Sequence, residues 1–156
     1  MSEVRVTRTL ALPADEAWEL LTDVRHHVRW IPFTRVETDG PPALGTRVVA
    51  VSGPFARTGG RGLVDRMRVE RYDPPTPGGL GVATFVKVGR ALRGEARIEV
   101  LAAGPASSQV TWVEDVHLGG PLPRRLTAAV AGPFVRAMTA WALHRVAAEL
   151  RAGRPT

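Results

Sequence analysis

The chain has 156 residues, 44% hydrophobic and 23% charged, enough to bury one core without metal or disulfides. It contains no cysteine, which excludes thiol catalysis, thiolate metal sites and disulfide scaffolds. The opening Met1-Ser2-Glu3-Val4-Arg5 lacks the basic-then-apolar pattern of a secretory leader, and the apolar runs look too short to cross a bilayer, so a cytoplasmic protein with no membrane span is expected.

The balance of 21 basic against 15 acidic residues gives a net charge of +6, and such a charge favours anionic partners when it is concentrated on one face. Here it reads as dispersed. Lys87 is the only lysine, and several arginines alternate with acids, as in Arg66, Arg68, Glu70 and Glu95, Arg97, Glu99. Alternating charge marks a solvated strand face. With no basic stripe and no interleaved aromatics, nucleic acid is not an expected partner.

In chain order, residues 3–12 alternate as a strand, with Val4, Val6 and Leu10 on one face and Arg8 interrupting it. Pro13 stops that strand. Ala14 to Asp23 follows as a helix, with Asp15 and Glu16 suiting its positive end and Ala14, Ala17, Trp18 and Leu21 on one face. A second short helical turn, His26 to Ile31, ends before Pro32. From Phe33 the period becomes two. Strands are expected at Thr34 to Thr38, Gly45 to Ser52, Arg61 to Tyr72, Gly81 to Val88, Gly94 to Ala102 and Ser108 to Leu118, separated by Gly- and Pro-rich turns. The last third, Pro121 to Arg151, reads as one long helix, with Leu126, Val130, Phe134, Met138 and Trp141 at steps of four and three. That stripe is expected to face the sheet, and Gly132-Pro133 is expected to kink or break the helix.

No repeat, linker or low-complexity tract divides the chain, so residues 1–156 are expected to form a single domain. Strand, two short helices, six more strands and a long helix define an α+β protein. A curved antiparallel sheet of about seven strands leaves an apolar face that only the C-terminal helix is large enough to cover.

The resemblance to a known family rests on the opening strand followed by Pro13-Ala14-Asp15-Glu16-Ala17-Trp18-Glu19-Leu20-Leu21-Thr22-Asp23, then Trp30-Ile31-Pro32, the turn Asp39 to Gly45, Tyr72-Asp73-Pro74-Pro75, Thr111-Trp112-Val113-Glu114-Asp115 and the long last helix. In this order and spacing they resemble the helix-grip superfamily, which includes the birch-pollen-allergen fold, START lipid-transfer domains and polyketide cyclase/dehydrase-like proteins, and among these the last branch. The resemblance implies the helix-grip fold and a lipophilic cavity between sheet and C-terminal helix. It does not imply a reaction.

Candidate site residues follow from strand alternation. Trp112, Glu114 and Val116 share one face of their strand; Val113, Asp115 and His117 share the other. Whichever set faces the helix supplies the polar groups: Glu114 as a carboxylate with a raised pKa, able to act as a general base, or Asp115 with His117. The plainer alternative is an inward carboxylate paired with a neighbouring arginine. Arg66 and Arg68 share a face opposite Met67 and could hold a ligand carboxylate or enolate, or simply be solvated. Trp30, Phe33, Met67, Phe85, Trp112, Phe134, Met138 and Trp141 are the candidate cavity lining, each also readable as plain core.

His26-His27 point about 100° apart on a helix and read as a surface turn, so no metal is expected. The glycines of residues 53–62 lack the Gly-Lys-Ser/Thr ending of a phosphate loop, and no cofactor is expected. The serines, at 2, 52, 107 and 108, have no histidine or acid at a motif spacing. The expected partner is a lipophilic small molecule. The sequence leaves three readings open: a carrier of a polyketide-like or lipid-like compound, an aromatase/cyclase promoting aldol closure and dehydration of a poly-β-keto chain, or an interaction module with a collapsed cavity. It leaves the oligomeric state undetermined.

Overall fold

The computed structural model describes residues 3–153. Strand β1 (Val4–Leu10) is followed by helix α1 (Ala14–Thr22), a 3₁₀ turn (Val24–Arg29), strands β2 (Thr34–Thr38) and β3 (Arg47–Ser52), a short turn (Ala56–Thr58), strands β4 (Leu63–Asp73), β5 (Gly81–Lys87), β6 (Leu92–Gly104) and β7 (Ser107–Leu118), and helix α2 (Arg124–Arg151). The strands form one sheet in the order β1-β7-β6-β5-β4-β3-β2, and every neighbouring pair is antiparallel. Hairpins join β2 through β7 in sequence, while β1 crosses over to pair with β7.

Alternation decides which side chains meet the core. Val110, Trp112, Glu114 and Val116 on β7 line up with Ala96, Ile98 and Val100 on β6, Ala83, Phe85 and Lys87 on β5, and Met67 and Val69 on β4. Most of these apolar groups belong to one buried cluster with Trp18, Leu21, Trp30, Leu143 and Val146. This is the concave face. The opposite face of β6 carries Glu95, Arg97 and Glu99, linked by ion pairs. Curvature has local causes: one residue of β4 bulges between Val69 and Arg71, which bends the strand and raises its twist. Gly94 has φ 110°, and a Cβ there would lie 1.9 Å from the Asp115 carbonyl oxygen, so only glycine fits where β6 turns against β7.

α1 begins after Pro13 with Asp15 and Glu16 in its first turn and has no side-chain cap. Asp23 stops it in extended geometry and accepts the Arg25 amide, which opens the 3₁₀ turn. α2 runs unbroken through Pro133. The expected break is absent: the turns on either side continue the helix past Pro133, which stands on its exposed face, despite the backbone bond lost there.

The facing of α2 corrects the sequence reading. The helix packs on β7 and β1 through Thr127, Ala128, Thr139, Ala142, Leu143, Val146 and Ala147. Leu126, Val130, Phe134 and Trp141, expected to face the sheet, stand exposed, Phe134 by 72% and Trp141 by 52%. Most of the buried contacts come from small residues, and the bulky stripe lies almost opposite. In length and apolar content α2 also passes as a bilayer-crossing helix, contrary to expectation, although its buried face belongs to the sheet.

The two stripes of α2 separate in a denaturation experiment. Leu143→Ala removes a side chain with no exposed surface and should cost about 2–5 kcal/mol in urea unfolding. Phe134→Ser should stay within about 0.5 kcal/mol of the parent. The reverse ranking would overturn the facing described here.

Candidate functional site

Glu114, Lys87 and Asp65 come from β7, β5 and β4 and all point to the concave face. Glu114 lies opposite Ala96 on β6, Ala96 lies opposite Phe85 on β5, and Lys87 is two residues beyond Phe85 on the same face. Lys87 donates to Asp65 Oδ2 at 2.5 Å and touches Met67 Sδ at 3.6 Å. The two side chains are 5% and 16% exposed. Glu114 is buried, and its Oε1 accepts the Trp112 indole N–H at 2.9 Å. Burial pushes its carboxyl above the ordinary carboxylate range and Asp65 adds to that shift, while the Lys87 ammonium and the Trp112 hydrogen bond oppose it. Among the described residues, Asp65 Oδ1 is buried with no hydrogen-bond partner, so the cluster retains acceptor capacity. A cation, a carboxylate and a second carboxyl whose pKa burial raises, set among apolar side chains, can orient a carbonyl or carboxylate and exchange a proton with it.

His27 extends this network. Its Nε2 bonds the Leu21 carbonyl at 2.8 Å, and its ring lies 5.0 Å from Trp112 and 5.6 Å from Trp30. The sequence placed it on a surface turn; in the fold it is buried. Burial pushes its pKa down to about 4, against a weaker upward pull from the Leu21 carbonyl. His26 turns instead to the Leu20 carbonyl, at 2.9 Å.

The other candidates divide by face. Trp30, Met67, Phe85 and Trp112 belong to the core beneath α1 and α2 or pack against it, and Met138 is half-buried. Phe33, Phe134 and Trp141 are exposed. Arg66 and Arg68 lie on the convex side, where Arg68 pairs with Glu70; they share the parity of Glu70 rather than that of Met67, so the cavity role is closed to them. Asp115 and His117 also fall on the convex face, and Asp115 accepts from Arg124 at 2.7 Å. Of the three proposed acid–base groups, only Glu114 is inward. Lys87 and Asp65 escaped the sequence reading, although a solitary lysine at the end of an apolar strand was a usable signal: alternation from Ala83 and Phe85 points it inward.

A small pocket of about 10 Å³, partly open to solvent, lies between the end of α1 and strands β2 to β5, lined by residues including Thr22, Val24, Val48, Val69 and Phe85; it has room for roughly one water. A surface cleft of about 340 Å³ lies outside α1, lined by Leu12, Glu16, Glu19, Leu20, Asp23 and His26.

A curled seven-strand antiparallel sheet holding a long C-terminal helix is a helix-grip fold, and comparison with known proteins places the chain within it. The chain belongs to the family described as polyketide cyclase / dehydrase and lipid transport, whose model matches residues 1–151. Similar solved structures include a START superfamily protein from Mycobacterium smegmatis, with TM-score 0.66 and 18% identity over 95% of this chain and 98% of that one. The Zhui aromatase/cyclase from Streptomyces sp. R1128 has TM-score 0.61 and 18% identity over 99% and 98%. The protein XoxI from Bacillus cereus has TM-score 0.68 and 12% identity over the whole of both chains. At these identities the likeness is one of fold. Among proteins of curated function, none matches the chain in sequence.

Two titrations follow from the buried groups. Below pH 6.5 the unfolded chain protonates His27, while the folded chain refuses that proton until about pH 4. Stability should therefore fall as pH drops through this window, by up to about 3 kcal/mol from this residue. His27→Gln should flatten that slope in denaturant titrations at pH 7 and pH 4. Glu114 has the opposite sense: its folded pKa is raised from 4.5, so ionising it costs stability as pH rises. Glu114→Gln should gain stability over the parent with rising pH, read as a widening difference in Tm between pH 4 and pH 8.

Proposed function

We propose that the protein binds an apolar or aromatic small molecule, polyketide-like or lipid-like, on the concave face beneath α2, and that it does so in the cytoplasm. The observation carrying this reading is the convergence of Glu114, Lys87 and Asp65 among buried apolar residues. Burying ionisable groups costs stability that a hydrocarbon core would not spend, and groups so placed cluster where ligands are held. Apolar contact with Trp112, Phe85 and Met67 drives binding, and the Lys87 ammonium orients a carbonyl or carboxylate of the ligand.

An aromatase/cyclase activity is the second reading, favoured by the pairing of a cation with a raised carboxyl. Lys87 polarises a ketone, ionised Glu114 takes the adjacent C–H proton, and the enolate carbon attacks a second carbonyl to close the ring. Protonated Glu114 returns its proton to the alkoxide so formed, then takes a second proton from the same carbon and passes it to the departing hydroxyl, which leaves as water. The aromatase/cyclase among the similar structures lends this reading its substrate class. The small volume of the pocket beside α1 favours a third reading, a protein-interaction module with a collapsed cavity; under either of the first two, α2 and the loops beside Lys87 must part to admit a ligand.

Native mass spectrometry on protein purified gently from its own host separates these readings. The expected result is a stoichiometric small molecule released on denaturation. A chain that never carries one, and takes up no poly-β-keto or fatty-acyl compound when supplied, overturns the binding reading. If a cyclisation is found, Glu114→Gln should abolish turnover and spare binding; an unchanged rate removes Glu114 as the base.

A further inference from the structure

Because all neighbouring strands are antiparallel, the starts of β2, β4 and β6 and the ends of β3, β5 and β7 lie along one edge of the sheet. That edge carries Phe33, the loop 53–62 with Phe55, Val88 after β5, and Leu122 and Leu126 at the start of α2, all large apolar side chains left exposed. Among the described residues, only Leu44 and Leu80 of the exposed large apolar side chains lie in the hairpin turns at the opposite edge. Charge is segregated in the same way. Residues 53–64, 88–94 and 118–148 contain no Asp or Glu, and they hold Arg57, Arg61, Arg90, Arg93, Arg124 and Arg125 at this edge. Nearby acids are engaged: Asp115 with Arg124, Glu3 with Arg5 and Arg97, and Asp65 with Lys87 inside the sheet. Read as a linear sequence the arginines look scattered; the fold gathers them.

We propose that this edge docks peripherally on an anionic lipid bilayer. Exposed aromatic and aliphatic side chains at loop tips enter the boundary between headgroups and acyl chains, while flanking arginines meet the anionic headgroups. The bilayer is chosen over an acidic protein because the apolar groups stand on separate loops, among arginines, rather than in one flat patch rimmed by polar residues. Lys87 ends β5, directly before Val88, so the docked edge is the one nearest the buried polar cluster. Docking there would let a lipophilic molecule pass between the bilayer and the concave face without crossing water. The docking itself does not depend on the proposed ligand.

The test is co-sedimentation of the full chain with vesicles of phosphatidylcholine alone or with one third phosphatidylglycerol. Binding is expected to the anionic vesicles and to be lost in about 0.5 M NaCl, where screening is short-ranged. The pairs Phe55→Ser with Leu122→Ser, and Arg61→Gln with Arg125→Gln, should each weaken it about tenfold or more. Leu44→Ser with Leu80→Ser, equally exposed but at the far edge, should leave it unchanged. Glu114→Gln, which leaves the edge intact, should also bind, so failure of the ligand reading is seen separately. Absence of binding to anionic vesicles overturns the proposal and assigns the edge to an acidic protein surface; equal loss in the far-edge pair overturns it as non-specific adhesion.

Discussion

α2 meets the sheet through Ala128, Thr139, Ala142, Leu143, Val146 and Ala147 and lies on β7 and β1, and the rest of the molecule depends on that contact. Small residues allow close approach, and the buried strand faces beneath them lose contact with water over a broad area. The arrangement seals the β1–β7 side of the concave face, including Val110 and Trp112. Arg124 ties the start of the helix to Asp115 on β7, and Arg29 approaches Glu149 near its end at 3.8 Å. The helix is thus anchored at both ends and packed along its length. Its bulkier apolar side chains turn outward as a consequence of this close seat.

The concave face is not a uniform hydrocarbon core. Lys87, Asp65 and Glu114 converge there, and their mutual compensation explains how such groups persist: the ammonium neutralises Asp65, and Trp112 donates to a carboxyl that burial already favours in its protonated form. His27 lies tilted against Trp112, with ring centroids 5.0 Å apart, and burial disfavours its charged form. A chain of contacts therefore runs from the Leu21 carbonyl through His27 and Trp112 to Glu114. One indole ring thus touches both the buried carboxyl and the 3₁₀ turn after α1.

Three properties coincide at a single edge of the sheet. The buried polar groups come nearest the surface there, exposed apolar side chains are concentrated there, and the adjoining loops carry arginine without acid. Antiparallel hairpins cause the coincidence, since they return alternate strand ends to the same side. In this helix-grip protein of the polyketide cyclase / dehydrase and lipid transport family the buried polar groups and the exposed apolar edge lie within a few residues of each other, at Lys87 and Val88.

Much of the architecture was legible in the linear chain. Strand alternation, the Pro and Gly punctuation and the length of the last apolar segment determined seven strands, a short helix and turn after the first strand, and a long terminal helix, because backbone periodicity is a local property. The inward direction of Lys87 was legible too, by parity with Phe85. Local pattern left the rest undecided. Bulky residues on α2 suggested the wrong face, because apolarity alone does not say whether a helix packs by size or by closeness; the small face won through its fit to β7 and β1. Both faces of β7 contain apolar residues, so only its pairing with β6 and the seat of α2 selected Glu114 over Asp115 and His117. The burial of His27, the joining of Asp65 to Lys87 and the gathering of dispersed arginines at one edge were likewise decided by tertiary structure alone. Each brings together residues distant in sequence, and only chain folding sets the distance between them.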